Sequence, residues 1–126
     1  EEILRWQWQA AVPVWKDLAA RARDHGVRHI ALEFHGWQLV YSTETLQRLR
    51  GEVGDILGVN LDPSHLFWMG ADPLAAAEAL KDCIYHVHIK DGCLTRTEKD
   101  GKIAYVPEWT VIGQPLLEFR HPRLRP

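Results

Sequence analysis

Cysteine is nearly absent from this chain: Cys83 and Cys93 are the only two in 126 residues. Two so spaced make neither a disulfide framework nor a CxxC metal pattern, so a reducing, cytoplasmic setting is expected, with Cys83 as a small buried hydrophobe. No apolar run approaches the roughly 20 residues that cross a bilayer, and no basic-then-apolar leader opens the sequence, so neither membrane insertion nor secretion is expected. Charge of one sign is not in excess either. Fifteen Lys and Arg against 17 Asp and Glu leave a net charge of −2, which argues against nucleic acid held by bulk positive charge. No initiator Met precedes Glu1, and no hydrophobic period runs through residues 119–126, where three Arg and two Pro in eight residues read as an irregular tail. What is present, 46% hydrophobic and 25% charged residues, is the composition of a folded domain.

From Glu1 to about Asp24 apolar residues recur at helical spacing, through Leu4, Trp8, Ala11, Trp15, Leu18, Ala19 and Ala22. Pro13 predicts either a kink or a second helix opening there. Gly26 is placed to end the helix in a left-handed conformation, and residues 29–34 read as a strand. The cycle repeats twice. Thr43 is the expected N-cap of a helix carrying Leu46, Leu49 and Val53 on one face, Gly54 closes it, and residues 56–62 form the next strand. After an aromatic-rich loop, Asp72-Pro73 caps a third helix over residues 74–81, and residues 84–89 are the third strand. Such alternation predicts an α/β fold with a parallel sheet, because crossover helices are what join parallel strands. Residues 90–107 turn polar and lose their period, which predicts a long loop.

The three strands end alike, on Leu32-Glu33, Leu61-Asp62 and Val87-His88. Their acidic or imidazole residues are 29 and 26 positions apart, about one β/α unit of an eight-unit barrel. C-terminal strand ends converge on one face, so two carboxylates and an imidazole can share a site suited to Mn²⁺, Mg²⁺, Co²⁺ or Zn²⁺. Asp, Glu and His make up 24 of 126 residues, so three prespecified positions fall in that set by chance with a probability of ~0.007. Asp62 before Pro63 is also an ordinary turn initiator.

Three stretches, residues 31–36 (ALEFHG), 59–68 (VNLDPSHLFW) and 84–91 (IYHVHIKD), resemble the sugar phosphate isomerase/epimerase family of xylose isomerase-like TIM barrels. The resemblance implies a partial (β/α)8 barrel over residues 1–118, matching strands five to seven, with residues 119–126 outside it. It implies Glu33, Asp62 and His88 as metal ligands, Glu33 also as the catalytic proton carrier beside a substrate carbonyl, and an enediolate as the intermediate. His65 matches a position facing substrate or metal. The implied substrate is a small sugar or sugar phosphate.

Other residues keep two readings. His86 shares the face of His88 but lies deeper, where it supports a ligand or fills core. His35 contacts substrate or is a solvated loop histidine. Trp37, Phe67 and Trp68 wall a sugar pocket or cap the barrel mouth. Asp91 orients a ligand or pairs with Lys90.

A full family member has strands one to four before this region and an eighth ending in a Glu that is the fourth ligand and second base. Thr110–Phe119 instead resembles the start of the final helix. The expectation is therefore a C-terminal-half fragment with open barrel edges prone to self-association. A non-catalytic metal-binding remnant is the alternative. An apurinic-endonuclease-type phosphodiesterase is disfavoured by the balanced charge.

Overall fold

The computed structural model describes residues 1–110, with only the backbone described for residues 91–94 and 105–110. Three parallel strands, β1 (Ile30–Leu32), β2 (Leu57–Leu61) and β3 (Ile84–Val87), stand in sheet order β1-β2-β3. The helices are α1 (Glu2–Asp24), α2 (Thr43–Val53), α3 (Pro63–Trp68) and α4 (Pro73–Leu80), with a short 3-10 turn over Lys81–Cys83. An antiparallel pair, β4 (Asp91–Lys99) and β5 (Lys102–Thr110), forms a separate two-stranded sheet. This is a parallel α/β arrangement of the kind a partial TIM barrel supplies, and among the described residues it forms no closed barrel.

Between the two readings of Pro13, the structure has one continuous helix with the proline inside it. At its end Gly26 takes a φ of +76°, Gly26 N–H donates to Arg23 O at 2.9 Å and Val27 N–H to Ala22 O at 2.8 Å. That pair of bonds is a Schellman ending, which satisfies carbonyls the helix leaves unpaired.

The cap of α2 is Ser42 rather than Thr43. Ser42 Oγ accepts from Thr45 N–H and Thr45 Oγ1 accepts from Ser42 N–H at 2.8 Å, a reciprocal capping box. Ser42→Ala is expected to cost about 1 kcal/mol, read as a lower urea midpoint at unchanged slope; an unchanged midpoint counts against the cap.

Two further expectations are corrected. The aromatic-rich loop contains α3, opened by Asp62 as N-cap and Pro63 in its first turn, the same Asp-Pro device that opens α4. The long loop at residues 90–107 is the β4–β5 hairpin, turned by Asp100 (φ 53°) and Gly101 (φ 71°). Two left-handed residues between paired strands make the turn whose twist suits a hairpin, and Asp-Gly is its favoured sequence. Thr110, expected to begin a helix, ends β5; the rest of that segment and the boundary at residue 118 lie outside the described residues.

Leu46, Leu49 and Val53 of α2, Ala76 and Leu80 of α4, and Trp8 and Ala19 of α1 are buried in one core cluster with Leu57, Val59 and Leu61 of β2, all five residues of which are buried; α2 packs on β2, and α1 packs on α2. Cys83 is buried, as expected. At the N-terminal end of the sheet the Arg50 guanidinium donates to Asp55 O at 2.9 Å, to Tyr85 Oη at 3.1 Å and to Leu57 O. These bonds tie the starts of β2 and β3 together, leaving the opposite end for chemistry. Val87 and Ile89 remain 45% and 69% exposed. No helix among the described residues is long and apolar enough to cross a membrane.

Candidate metal centre

Each strand delivers its residue just past its own C-terminal end: Glu33 after β1, Asp62 after β2, His88 after β3. Register sets their level. Asn60 pairs with His86 and Leu61 with Val87, after an irregularity between Val59 and Asn60 that leaves Tyr85 as an extra residue on β3. Such a bulge re-aims the side chains that follow it, and here His86 comes level with Asn60. His88 N–H then bonds Leu61 O at 3.0 Å, continuing the ladder to the ligand.

Glu33, Asp62 and His88 offer ligand atoms all within 4.8 Å of one another, and Glu33, His35 and His65 form a second such group. His88 Nδ1 lies 3.2 Å from Glu33 Oε2 and 3.9 Å from Asp62 Oδ2. The Asp62 side chain is only 1% exposed. Its Oδ1 accepts from Ser64 N–H at 3.0 Å, whereas Oδ2 accepts no aligned hydrogen bond among the described residues. A buried carboxylate oxygen without one is costly unless a cation faces it. The Lys90 ammonium is the cation that faces it, 2.6 Å away, and the oxygen and imidazole donors at this spacing also fit a divalent ion.

His65, from α3, sits between the two groups. Its Nε2 is 3.1 Å from Glu33 Oε1 and 3.4 Å from Asp62 Oδ2. Trp68 Nε1 donates to its Nδ1 at 3.3 Å. An indole N–H can only donate, so Nδ1 is the acceptor and neutral His65 carries its proton on Nε2, aimed at Glu33. The His35 ring lies 3.9 Å from that of His65, centroid to centroid, with Nε2 at 4.0 Å from Glu33 Oε1.

Asn60 had no role assigned from the sequence, and Lys90 only a pairing with Asp91. Asn60 donates to Glu33 Oε2 at 3.1 Å, and His86 Nδ1 lies 3.0 Å from Asn60 Oδ1. With the Asn60 amide committed to Glu33, its oxygen accepts from His86 Nδ1–H, so His86 acts on Glu33 through Asn60. Asn60 is two residues before Asp62 on β2 and therefore on the same face, which is the signal that marks it. Lys90 Nζ lies 2.6 Å from Asp62 Oδ2 and 3.8 Å from Glu33 Oε1. Trp37 stands apart, 90% exposed, and the Asp91 side chain lies outside the described residues.

Burial pushes the Asp62 carboxyl up, but Lys90, the Ser64 hydroxyl, the neighbouring His65 and the Ser64 N–H outweigh it and hold it below the ordinary value of 3.8. Burial pushes His65 below 6.5 against the pull of Asp62 and Glu33. Both groups bind protons more weakly folded than unfolded, so both make stability rise with pH. The His65 contribution is complete above 6.5 and is lost as pH falls towards its folded value; the Asp62 contribution is lost only below 3.8. The urea midpoint should therefore drop from pH 7.5 to 5.5 and again below pH 4, and a midpoint that rises on acidification contradicts this.

Residues 1–121 match the xylose isomerase-like TIM barrel family. The chain belongs to that family. Two curated relatives of this barrel chain are the uncharacterized protein YfiH of Bacillus subtilis (strain 168), 55% identical over 92 residues, and the rhizopine catabolism protein MocC of Rhizobium meliloti, 30% identical over 102 residues. These matches take in 72% and 79% of this chain but only 29% and 31% of the relatives' lengths.

Proposed function

We propose that this chain carries one part of the active site of a divalent-metal-dependent sugar or sugar-phosphate isomerase/epimerase, which moves a proton at a carbon next to a carbonyl. The observation carrying the reading is the meeting of Glu33, Asp62 and His88 from three successive strand ends. These three would hold the ion. When bound, it supplies polarisation of the carbonyl and hydroxyl oxygens, which acidifies the adjacent C–H.

The protein's own groups do the rest. Glu33 is the base, steadied on Oε2 by Asn60 and facing His65 through Oε1. His65, kept neutral by burial and oriented by Trp68, holds its Nε2–H on Glu33 Oε1 and so positions the base. His35, whose ring is tilted by 59° against it, would complete the wall towards the substrate. The exposed Val87 and Ile89 at the sheet edge support self-association.

A second reading, metal binding without turnover, is favoured by the openness of the site, where the His88 side chain is 40% exposed. Calorimetric titration with Mn²⁺, paired with deuterium exchange from D2O into a ketose panel, separates the two. Saturable binding that is weakened in Asp62→Asn, with exchange at the carbon beside the carbonyl, supports the isomerase. Binding without exchange supports the second reading, and equal Mn²⁺ affinity in wild type and Asp62→Asn removes both.

A further inference from the structure

We infer that Lys90 is a built-in occupant of the metal position, a side-chain cation that a divalent ion must displace; this rests on the metal reading above. Its ammonium lies 2.6 Å from Asp62 Oδ2, the buried oxygen that receives no aligned hydrogen bond, and 3.8 Å from Glu33 Oε1. Those are oxygens of two of the three side chains whose ligand atoms converge. Lys90 also comes within 3.4 Å of His65 Nε2, but in neutral His65 that nitrogen already carries its proton, so the two meet as donors. The carboxylates, not the imidazole, hold the ammonium in place.

Geometry gives Lys90 both the reach and a way out. It lies on the short connection between β3 and β4, two residues after His88 and immediately before β4, and its side chain is 43% exposed while that of Asp62 is 1% exposed. One partner is therefore fixed and buried. The other is a long flexible chain with an open route to solvent, able to leave without unpacking anything. The exchange replaces one positive charge by two at the same oxygens. Once displaced, the ammonium stays tethered beside the site.

The test uses the full 126-residue chain with Mn²⁺ as probe. Lys90→Met and the polar neutral Lys90→Gln should bind Mn²⁺ about five- to tenfold more tightly than wild type, while Lys90→Arg stays within about twofold. Far-UV circular dichroism checks that each is folded, and either neutral variant suffices for the comparison. The gain should persist at 0.5 M NaCl, because contact competition survives where a diffuse like-charge effect is screened. Neutral variants that bind no more tightly than wild type, or a gain that vanishes in salt, overturn the occupant role while leaving the metal reading intact if Glu33→Gln still weakens binding. Absence of Mn²⁺ binding in wild type and in every variant overturns both.

Discussion

Glu33→Gln should weaken Mn²⁺ binding by about 100-fold or more, the largest loss expected from any single change at the site. Glu33 belongs to both three-residue ligand groups, whereas Asp62 and His88 belong to one and His35 and His65 to the other. Removing its charge dissolves both groups, while Asp62→Asn leaves Glu33, His35 and His65 together. The carboxylate is also where the surrounding contacts meet: Asn60 at 3.1 Å, His65 at 3.1 Å and His88 at 3.2 Å. Glutamine keeps the size and one oxygen, so the loss reports charge and lone pairs rather than a cavity. Calorimetry should rank Glu33→Gln below Asp62→Asn in affinity. Affinity within threefold of wild type, or the reverse ranking, would remove Glu33 from the centre of the site.

Gly58→Ala should destabilise the fold by about 3 kcal/mol through a clash in the sheet. A Cβ at Gly58 would lie 2.3 Å from Cys83 O and 2.4 Å from Tyr85 Cδ2. Both neighbours are constrained. The carbonyl belongs to the backbone entering β3, and the Tyr85 hydroxyl is held by Asp55 O and Arg50. Tyr85 is the extra residue of the β2–β3 irregularity, so its ring cannot move away without disturbing the register that brings His86 level with Asn60. The consequence should extend beyond stability, with weaker Mn²⁺ binding in whatever fraction still folds. Denaturant unfolding gives the first measure, and a midpoint equal to that of wild type would mean that the strands part at little cost. By contrast, Gly51 has nothing within 4 Å of an added Cβ, so Gly51→Ala on α2 is the matched control.

The same local contacts explain which features the sequence revealed. The βα alternation was legible because apolar runs and helical faces differ in period, and the strand-end positions of Glu33, Asp62 and His88 followed from it. Asn60 was hidden because an uncharged amide within an apolar run carries no titration or ligand signal of its own; its meaning arises only when β3 is laid beside β2. Lys90 was hidden for the opposite reason, since a lysine next to an aspartate has an ordinary surface reading until Asp62 is found 2.6 Å away. The hairpin was masked by its polar composition, although Lys99-Asp100-Gly101-Lys102 contains the Asp-Gly turn signal. Asp62-Pro63 carries the cue that located α4 at Asp72-Pro73. There the ligand reading and the turn reading obscured the helix-opening one.

Asp62 does both jobs, with its two oxygens facing opposite tasks. Oδ1 is engaged by the first turn of α3 through the Ser64 N–H, and Oδ2 is turned towards Lys90 and His65. It can therefore offer an ion one oxygen without releasing the helix that carries His65. This division gives the protein its own control. Asn at position 62 retains a capping oxygen while removing the charge, and Ala removes both. Comparing the two substitutions separates the mechanical hold on α3 from the electrostatic pull on a cation, two effects that one carboxylate otherwise keeps in step.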